Sequence, residues 1–321
     1  MFVSINDSKI LGYMYRILFD NKPITADIFL TNYCNNNCPY CTYKRWQLPK
    51  DSKSVLFDDF VTYANRLKEL GVLGFILTGG GEPTVAKDFD AIANYLEETE
   101  TPYGINTNFN LLKFIKPNYL KVSLDAWDED SYEYKRGCRR YNQVRDNIKE
   151  YAIWKKANNV KTSLGIQLLA CSSDEVYNFY NANKDLDVDY IVIRPVESTD
   201  GEYYVKDFQN ENRVNSIISA IKSLKKFDKR IVLNYKWTML HERFDSCLAN
   251  WTQIAVNEYG EVMYCCHKPY EIVGHIMEKD ILEKKAKFKT IMGMCDIPCR
   301  LTGPNCAVSN ISNNVSDYPF I

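Results

Sequence analysis

The sequence predicts an α/β fold built on a parallel sheet, of the partial (β/α)6 TIM-like barrel type. Short apolar runs of strand length alternate with amphipathic segments through the middle two thirds of the chain, which is typical of βα units. Six such runs suit a partial barrel, whose functional site is expected where the strand C-termini open into loops. The predicted strands are Ala26–Leu30, Gly74–Thr78, Tyr103–Asn106, Leu120–Leu124, Thr162–Leu169 and Tyr190–Arg194.

Three helices are predicted between or after these strands from apolar residues that recur every three or four positions. Phe57–Leu70 carries its apolar residues on one face, and residues 142–157 and 210–225 show the same pattern.

The pattern changes after about residue 226, where hairpin signals and cysteine-rich loops replace the βα units. We therefore predict an N-terminal extension (1–24), the barrel (25–226) and a small C-terminal α+β domain (227–321). Thr252–Val256 and Glu261–Tyr264 flank a turn ending in Gly260, which indicates a β-hairpin.

The 321 residues carry a net charge of -1 and a pI near 6.4. This balance gives no general attraction to nucleic acid or to an anionic membrane. We find no signal peptide and no apolar run of about 18 residues, so we expect no membrane partner and a cytoplasmic location. Of the 11 cysteines, three with cluster spacing and five late in the chain are then interpreted as metal ligands in a reducing compartment.

Cys34, Cys38 and Cys41 form a C-x3-C-x2-C motif directly after the first predicted strand. Three thiolates on one short loop can hold three irons of a [4Fe-4S] cluster and leave the fourth iron without a protein ligand. Gly79, Gly80, Gly81, Glu82 and Pro83 follow the second predicted strand, and glycines there allow a ligand to approach the backbone closely. A zinc site is the alternative, but a zinc ribbon would need a second C-x2-C pair.

Together these motifs resemble the signature of the radical S-adenosylmethionine (SAM) superfamily. The resemblance implies that SAM binds the open iron and is reductively cleaved to a 5'-deoxyadenosyl radical that abstracts a hydrogen atom from the substrate. It places Tyr40 near the adenine and gives Glu82 the role of orienting the methionine ammonium. It also implies a flavodoxin or ferredoxin-type electron donor.

Further residues match the family's SAM pocket. Ser123 and Asp125 end a strand as Ser-x-Asp, and Arg136 precedes a glycine as in related enzymes. A helix cap is the alternative for Ser123 and Asp125, and a solvated charge is the alternative for Arg136. Asn108, in a Thr-Asn pair, is expected to line the pocket or to form a turn.

The C-terminal cysteines resemble the SPASM/Twitch extension of radical SAM enzymes. The spacing C-x12-G-x4-C joins Cys247 to Cys265, and C-x3-C-x6-C follows. One auxiliary [4Fe-4S] cluster is implied, and a structural zinc site is the alternative. The implied ligands are Cys247, Cys265, Cys295 and Cys299, with Cys306 competing with Cys299 for the fourth position. Cys266 is expected to point away from Cys265, because neighbours on a strand face opposite sides.

The expected function is oxidation or crosslinking of a ribosomally made peptide, which relatives with this extension most often perform. Only about two dozen residues precede the first strand, and this moves the expectation toward a small-molecule alcohol substrate or a separate leader-binding protein. Epimerisation is a further alternative, with Cys171 after the fifth strand as hydrogen donor, although a buried cysteine is more often a packing residue. A non-catalytic electron carrier is not favoured, since a carrier needs no SAM pocket.

Overall fold

The computed structural model describes residues 22–41, 43, 51–195, 210–238, 247, 249–266, 268–288 and 301–306. Its strands are β1 Thr25–Phe29, β2 Gly74–Thr78, β3 Tyr103–Thr107, β4 Tyr119–Ser123, β5 Ser163–Ala170, β6 Tyr190–Pro195, β7 Ile231–Leu233, β8 Gln253–Val256, β9 Glu261–Cys265 and β10 Lys268–His275. The helices are α1 Phe57–Glu69, α2 Phe89–Glu98, α3 Glu129–Arg136, α4 Tyr141–Ala157, α5 Ser173–Asn183, α6 Glu211–Phe227 and α7 Ile281–Phe288.

Within these ranges the strands form one sheet in the order β10-β9-β8-β1-β2-β3-β4-β5-β6-β7. The strands from β1 to β7 pair in parallel in chain order, and β8 pairs in parallel with the other side of β1. The predicted α/β fold with a mostly parallel sheet is confirmed. All six predicted strands and the three predicted helices are present, with ends shifted by one or two residues.

The two faces of this sheet differ in chemistry. One face is apolar and inaccessible to solvent, and it belongs to the same core cluster as helical residues such as Phe60. The other face carries polar side chains, because successive residues of a strand point to opposite sides. Asn106 and Lys121 are neighbours there, as are Ser123 and Gln167. The helices therefore cover the apolar face and leave the polar face for the site.

The C-terminal hairpin continues the barrel sheet. β8 and β9 pair antiparallel around a turn in which Gly260 has a φ of 77°, so the predicted hairpin is present. The sequence did not indicate that β8 would pair with β1 over Thr25–Ile28. The predicted boundary near residue 226 thus does not separate two sheets, because β7 and β8 extend the sheet at opposite sides of the six-strand unit.

In the part of the chain that the structure describes, no helix has the length and apolar character needed to cross a membrane.

Candidate functional site

The loop after β1 carries the three motif cysteines, and each is partly exposed. The Cys41 backbone N–H donates to the Cys38 carbonyl at 3.3 Å, and the Asn36 backbone N–H donates to Cys34 Sγ at 3.4 Å. Burial raises the pKa of the Cys34 thiol to about 12, with Cys38 and Cys41 adding to the shift. A bound cation removes this penalty, because a coordinating thiol is deprotonated by the metal.

Among the described residues, no group of three or more Cys, His, Asp or Glu side chains is arranged to hold a metal ion. The fit of the loop to a [4Fe-4S] cluster therefore rests on its donor set, which is three thiols, two of which, Cys34 and Cys38, accept hydrogen bonds at sulfur. Hydrogen bonds to sulfur are among the features by which proteins set the potential of such clusters.

Gly80 and Gly81 bring the end of β2 against the cysteine loop. A Cβ at Gly81 would lie 1.8 Å from the Tyr33 carbonyl oxygen, and one at Gly80 would lie 2.1 Å from the Tyr43 ring. The Gly81 backbone N–H also donates to the Thr31 carbonyl at 2.8 Å. These glycines were expected to let a ligand approach the backbone closely. At both positions the group at close approach is the chain's own loop after β1.

Glu82 is the best-held carboxylate of the site, with 3% of its surface exposed. Oε1 accepts from the Thr84 N–H and from the hydroxyls of Thr84 and Thr107, at 3.2, 2.7 and 2.5 Å. Oε2 accepts from the Asn108 backbone N–H alone at 2.7 Å. A carboxylate oxygen offers two lone pairs, so Oε2 retains capacity for one further donor. Burial raises the pKa of Glu82, and these hydrogen bonds act against the rise. Pro83 starts the short 3-10 turn that Glu82 caps.

Arg136 connects the cysteine loop to the end of β4. Its Nη2 lies 2.8 Å from Asp125 Oδ2 and donates to the Ser123 carbonyl, and its Nη1 donates to Cys38 Sγ at 3.5 Å. Tyr40 donates its hydroxyl to the same Asp125 oxygen at 3.5 Å. The solvated charge considered for Arg136 is wrong, because only 8% of the residue is exposed.

The helix-cap alternative for Ser123 and Asp125 is also wrong. The N-cap of α3 is Asp128, whose side chain accepts from the Ser131 backbone N–H. Asp125 instead lies just after the end of β4, where its backbone has a φ of 54°. Its carboxylate accepts a hydrogen bond from the Leu169 backbone N–H at 2.7 Å. Its carboxylate thus joins β4, β5 and the arginine.

A layer of asparagine side chains holds the cysteine loop from the β3 side, and sequence reasoning missed all but one of them. Asn108 Nδ2 donates to Asn35 Oδ1 and Asn110 Nδ2 donates to Asn36 Oδ1, each at 2.6 Å. Cys138 also donates to Asn36 Oδ1, at 3.1 Å. The signal in the sequence was the run of three asparagines between the first two cysteines.

The polar face of the sheet continues from this layer toward β5 and β6. Arg194 Nη1 donates to Gln167 Oε1 at 3.0 Å, next to Ser123 in register. Cys171 directly follows β5, is partly exposed, and donates its backbone N–H to Glu175 at 2.9 Å. The expected position of Cys171 at the open edge is consistent with its place in the fold, and its role stays a prediction.

The C-terminal cysteines fall partly outside the described residues, which include Cys247, Cys265, Cys266 and Cys306 but not Cys295 and Cys299. Burial lowers the pKa of Lys285 to about 8, and the first three of these cysteines act against that fall. Cys266 also packs beside Tyr43 in the small cluster that contacts Cys41. Because β9 ends at Cys265, the alternation of side chains along a strand does not extend to Cys266 and does not decide which way its thiol points.

Comparison with known proteins adds to this geometry. A model of the Radical SAM superfamily matches residues 28–168. A protein of Methanocella arvoryzae named probable GTP 3',8-cyclase is 29% identical over 177 residues, which are 53% of this chain and 53% of that protein. The chain spans 38%, 63% and 53% of the lengths of three curated relatives that it matches.

Two solved structures share the fold at low identity. Streptococcus suis SuiB bound to precursor peptide SuiA has a TM-score of 0.63 and 17% identity, over 87% of this chain and 68% of that chain. Native anSMEcpe with bound AdoMet has a TM-score of 0.61 and 17% identity, over 84% of each chain. The segment that matches the family model runs from β1 into β5 and contains the cysteine loop, the glycine motif and Arg136. Residues 28–168 of the chain are therefore similar to a Radical SAM superfamily domain.

Proposed function

We propose that the chain is a radical SAM enzyme that oxidises or crosslinks a ribosomally made peptide. The observation that carries the radical SAM assignment is the convergence of three thiols, Glu82 and the Asp125–Arg136 pair at the carboxyl edge of one parallel sheet. When bound, a [4Fe-4S] cluster and SAM supply a 5'-deoxyadenosyl radical for hydrogen abstraction. The protein supplies binding, orientation and electrostatics.

Each part of the site has a task in this proposal. Cys34, Cys38 and Cys41 hold the cluster, and Arg136 places a fixed positive charge at Cys38. Glu82 offers Oε2 to the methionine ammonium, because among the described residues that oxygen accepts from a single donor. Tyr40, on the same loop, is proposed to lie against the adenine.

The peptide substrate is supported by two features. The fold shared with SuiB, whose structure holds a precursor peptide, covers 87% of this chain. The polar face of the sheet, with Lys121, Gln167 and Arg194, offers groups that bind backbone amides or carboxylates. The C-terminal cysteines are proposed to hold one auxiliary [4Fe-4S] cluster that accepts the electron left after hydrogen abstraction. A flavodoxin or ferredoxin-type protein is proposed as the reductant.

The proposal is tested with anaerobically reconstituted protein, dithionite and SAM. We expect slow release of 5'-deoxyadenosine, no release from Cys38→Ala, and retained release from Cys138→Ala. Cys138 also contacts the cysteine loop, through Asn36, but only Cys38 belongs to the ligand motif, so Cys138→Ala is the matched control. Equal release from both variants would contradict the assignment. If a short peptide is encoded beside this gene, it is the first substrate to assay, with loss of two hydrogens measured by mass spectrometry.

Peptide epimerisation is the second candidate, and the position of Cys171 at the open edge of β5 favours it. In this reaction the thiol donates a hydrogen atom to the substrate radical, so the product has the substrate's mass. Assay in deuterium oxide separates the two candidates. Deuterium at the reacting carbon, lost in Cys171→Ala, supports epimerisation, whereas a product lighter by two hydrogens supports oxidation.

A further inference from the structure

We propose that a pH-sensitive latch joins the turn between β8 and β9 to the start of the cysteine loop. In this latch Glu258 is a protonated carboxylic acid, and its hydroxyl donates to Asn32 Oδ1. The proton passes to solvent when the latch opens. The latch needs neither the cluster nor SAM, so it does not depend on the reaction proposed above.

Two buried oxygens without a donor identify the latch. Glu258 is 4% exposed and Asn32 is 0% exposed. Among the described residues, Glu258 Oε2 and Asn32 Oδ1 accept no hydrogen bond. The Asn32 side chain nevertheless lies within hydrogen-bonding reach of the Glu258 carboxyl group. Two acceptors cannot satisfy each other, whereas a carboxylic acid can donate to an amide oxygen.

The orientation of the Asn32 amide follows from its other neighbour, Asp51. Asn32 Nδ2 donates to Asp51 Oδ1 at 2.6 Å, and this bond lowers the pKa of the exposed Asp51 carboxyl. An amide N–H directed at Glu258 would lower the pKa of that group instead, but it would place Oδ1 against the ionised Asp51. Nδ2 therefore stays with Asp51, and Oδ1 faces Glu258.

The surroundings of Glu258 favour its neutral form. Burial raises the pKa of Glu258 to about 7, and the carboxylates of Asp51 and Glu261 add to the rise. Tyr43 and Tyr259 are the other titratable groups that interact with it, and neither carries a positive charge. The closed latch thus binds a proton at pH values where an exposed glutamate has lost it.

The segment held by the latch also holds the glycine–glutamate motif. The Gly81 N–H donates to the Thr31 carbonyl at 2.8 Å, and the Glu82 N–H donates to the Tyr33 carbonyl at 2.9 Å. Asn32 lies between these two acceptors in the chain. Loss of the latch proton leaves a buried carboxylate against an amide oxygen, so opening is expected to loosen this segment and both N–H groups bonded to it.

The test is amide hydrogen exchange of the full-length protein without cofactors between pH 5 and 8, measured by mass spectrometry. Glu258→Gln is the reference variant, because its amide can donate to Asn32 Oδ1 and cannot titrate. Dividing the wild-type rate by the variant rate at each pH removes the intrinsic pH dependence of exchange. Peptides covering 30–35 and 79–84 report the latch, and a peptide covering 163–170 in β5 is the internal control.

The rate ratio of the two latch peptides is expected to rise with pH. Below about pH 7 only the open state releases the proton, so opening increases about tenfold per pH unit and about a hundredfold from pH 5 to pH 7. Above about pH 7 the ratio should level off, because the closed latch has then lost its proton as well. The ratio for the β5 peptide should stay constant, since the opening is local.

Glu261→Gln is the matched control on the same hairpin. The Glu261 carboxylate already accepts from Asn257 Nδ2 at 2.8 Å, so it has a donor that Glu258 Oε2 lacks. Removing its negative charge should move the plateau to lower pH and leave the rise itself in place, because a like charge favours the neutral acid.

Three outcomes overturn the inference. One is a ratio for the latch peptides that stays constant or falls from pH 5 to pH 8. Another is loss of the pH dependence in Glu261→Gln. The third is a rise of equal size in the β5 peptide, because pH then acts on the whole fold. If Glu258→Gln does not fold by circular dichroism, Glu258→Met takes its place as a side chain that cannot titrate, and the same rise is required.

Discussion

Replacing Arg136 with glutamine tests whether the buried ion pair with Asp125 holds the site together. The wild-type pair has an N–O distance of 2.8 Å, with side-chain exposures of 10% for Arg136 and 0% for Asp125. After the replacement, Asp125 keeps the Leu169 backbone N–H at 2.7 Å and the Tyr40 hydroxyl at 3.5 Å. Its negative charge then remains buried without a positive partner.

Removing one partner of a buried ion pair costs about 3–5 kcal/mol, because the remaining charge is uncompensated. With a urea m-value of about 3 kcal/mol per molar, the lower figure moves the unfolding midpoint down by about 1 M. The assay is urea unfolding followed by circular dichroism, under reducing anaerobic conditions. Iron content after reconstitution should fall as well, since Nη1 also contacts Cys38 Sγ.

Arg139→Gln is the matched control, three residues further along. Arg139 pairs with Asp130 and Glu133, but all three side chains are exposed. The exposed fraction is 53% for Arg139, 86% for Asp130 and 55% for Glu133. Exposed pairs contribute little to stability, so this variant should unfold close to the wild-type midpoint. Equal midpoints for Arg136→Gln and Arg139→Gln would refute the interpretation of Arg136 as a buried structural charge.

Three further changes test other parts of the site. Glu82→Gln should weaken SAM binding about tenfold or more while iron content is kept, because a charge-assisted hydrogen bond contributes about 1.5–3 kcal/mol; unchanged affinity in equilibrium dialysis would remove Glu82 from the SAM site. Gly81→Ala should lose the cysteine loop's packing and most bound iron, because its Cβ would lie 1.8 Å from the Tyr33 carbonyl oxygen, and full iron content would contradict this. Burial raises the pKa of Glu258 from an ordinary 4.5 to about 7. The folded state therefore keeps a proton that the unfolded chain releases, so stability falls as pH rises from about 4.5 to 7 by up to about 3 kcal/mol, and Glu258→Gln should abolish this fall in urea unfolding at each pH.

The strands and the motif positions were predictable because they depend on local sequence. Apolar runs of five to eight residues between amphipathic segments have the length of a strand and are too short for a typical helix. Each motif stands directly after such a run. The cysteine loop after β1 and Glu82 after β2 therefore lie at the same sheet edge, as expected from parallel strands.

The long-range polar contacts were not predictable in this way. Whether Arg136 is solvated or paired depends on which side of α3 faces the loop, and no periodicity reports that. The pairing of β8 with β1 likewise joins segments more than 200 residues apart. Both edges of the six-strand unit offer the same unpaired backbone groups to an added strand, so the sequence does not tell which edge β8 joins. Lys285 looks like a surface lysine in sequence, and only its acceptors identify it as buried.

The pairing of β8 with β1 also links the two cysteine regions physically. The first cysteine loop leaves β1 at its carboxyl end, and the hairpin turn follows β8 at the same end because the two strands are parallel. In that turn, Tyr259 donates its hydroxyl to Asp51 at 2.8 Å, and Asp51 in turn accepts from Asn32 at 2.6 Å. A change in the hairpin is therefore transmitted to the loop through two hydrogen bonds and one strand pair. We infer that substitutions at the auxiliary cysteines are best judged by the iron content of both sites, since damage to β8 or β9 reaches the barrel site without any electronic coupling between clusters.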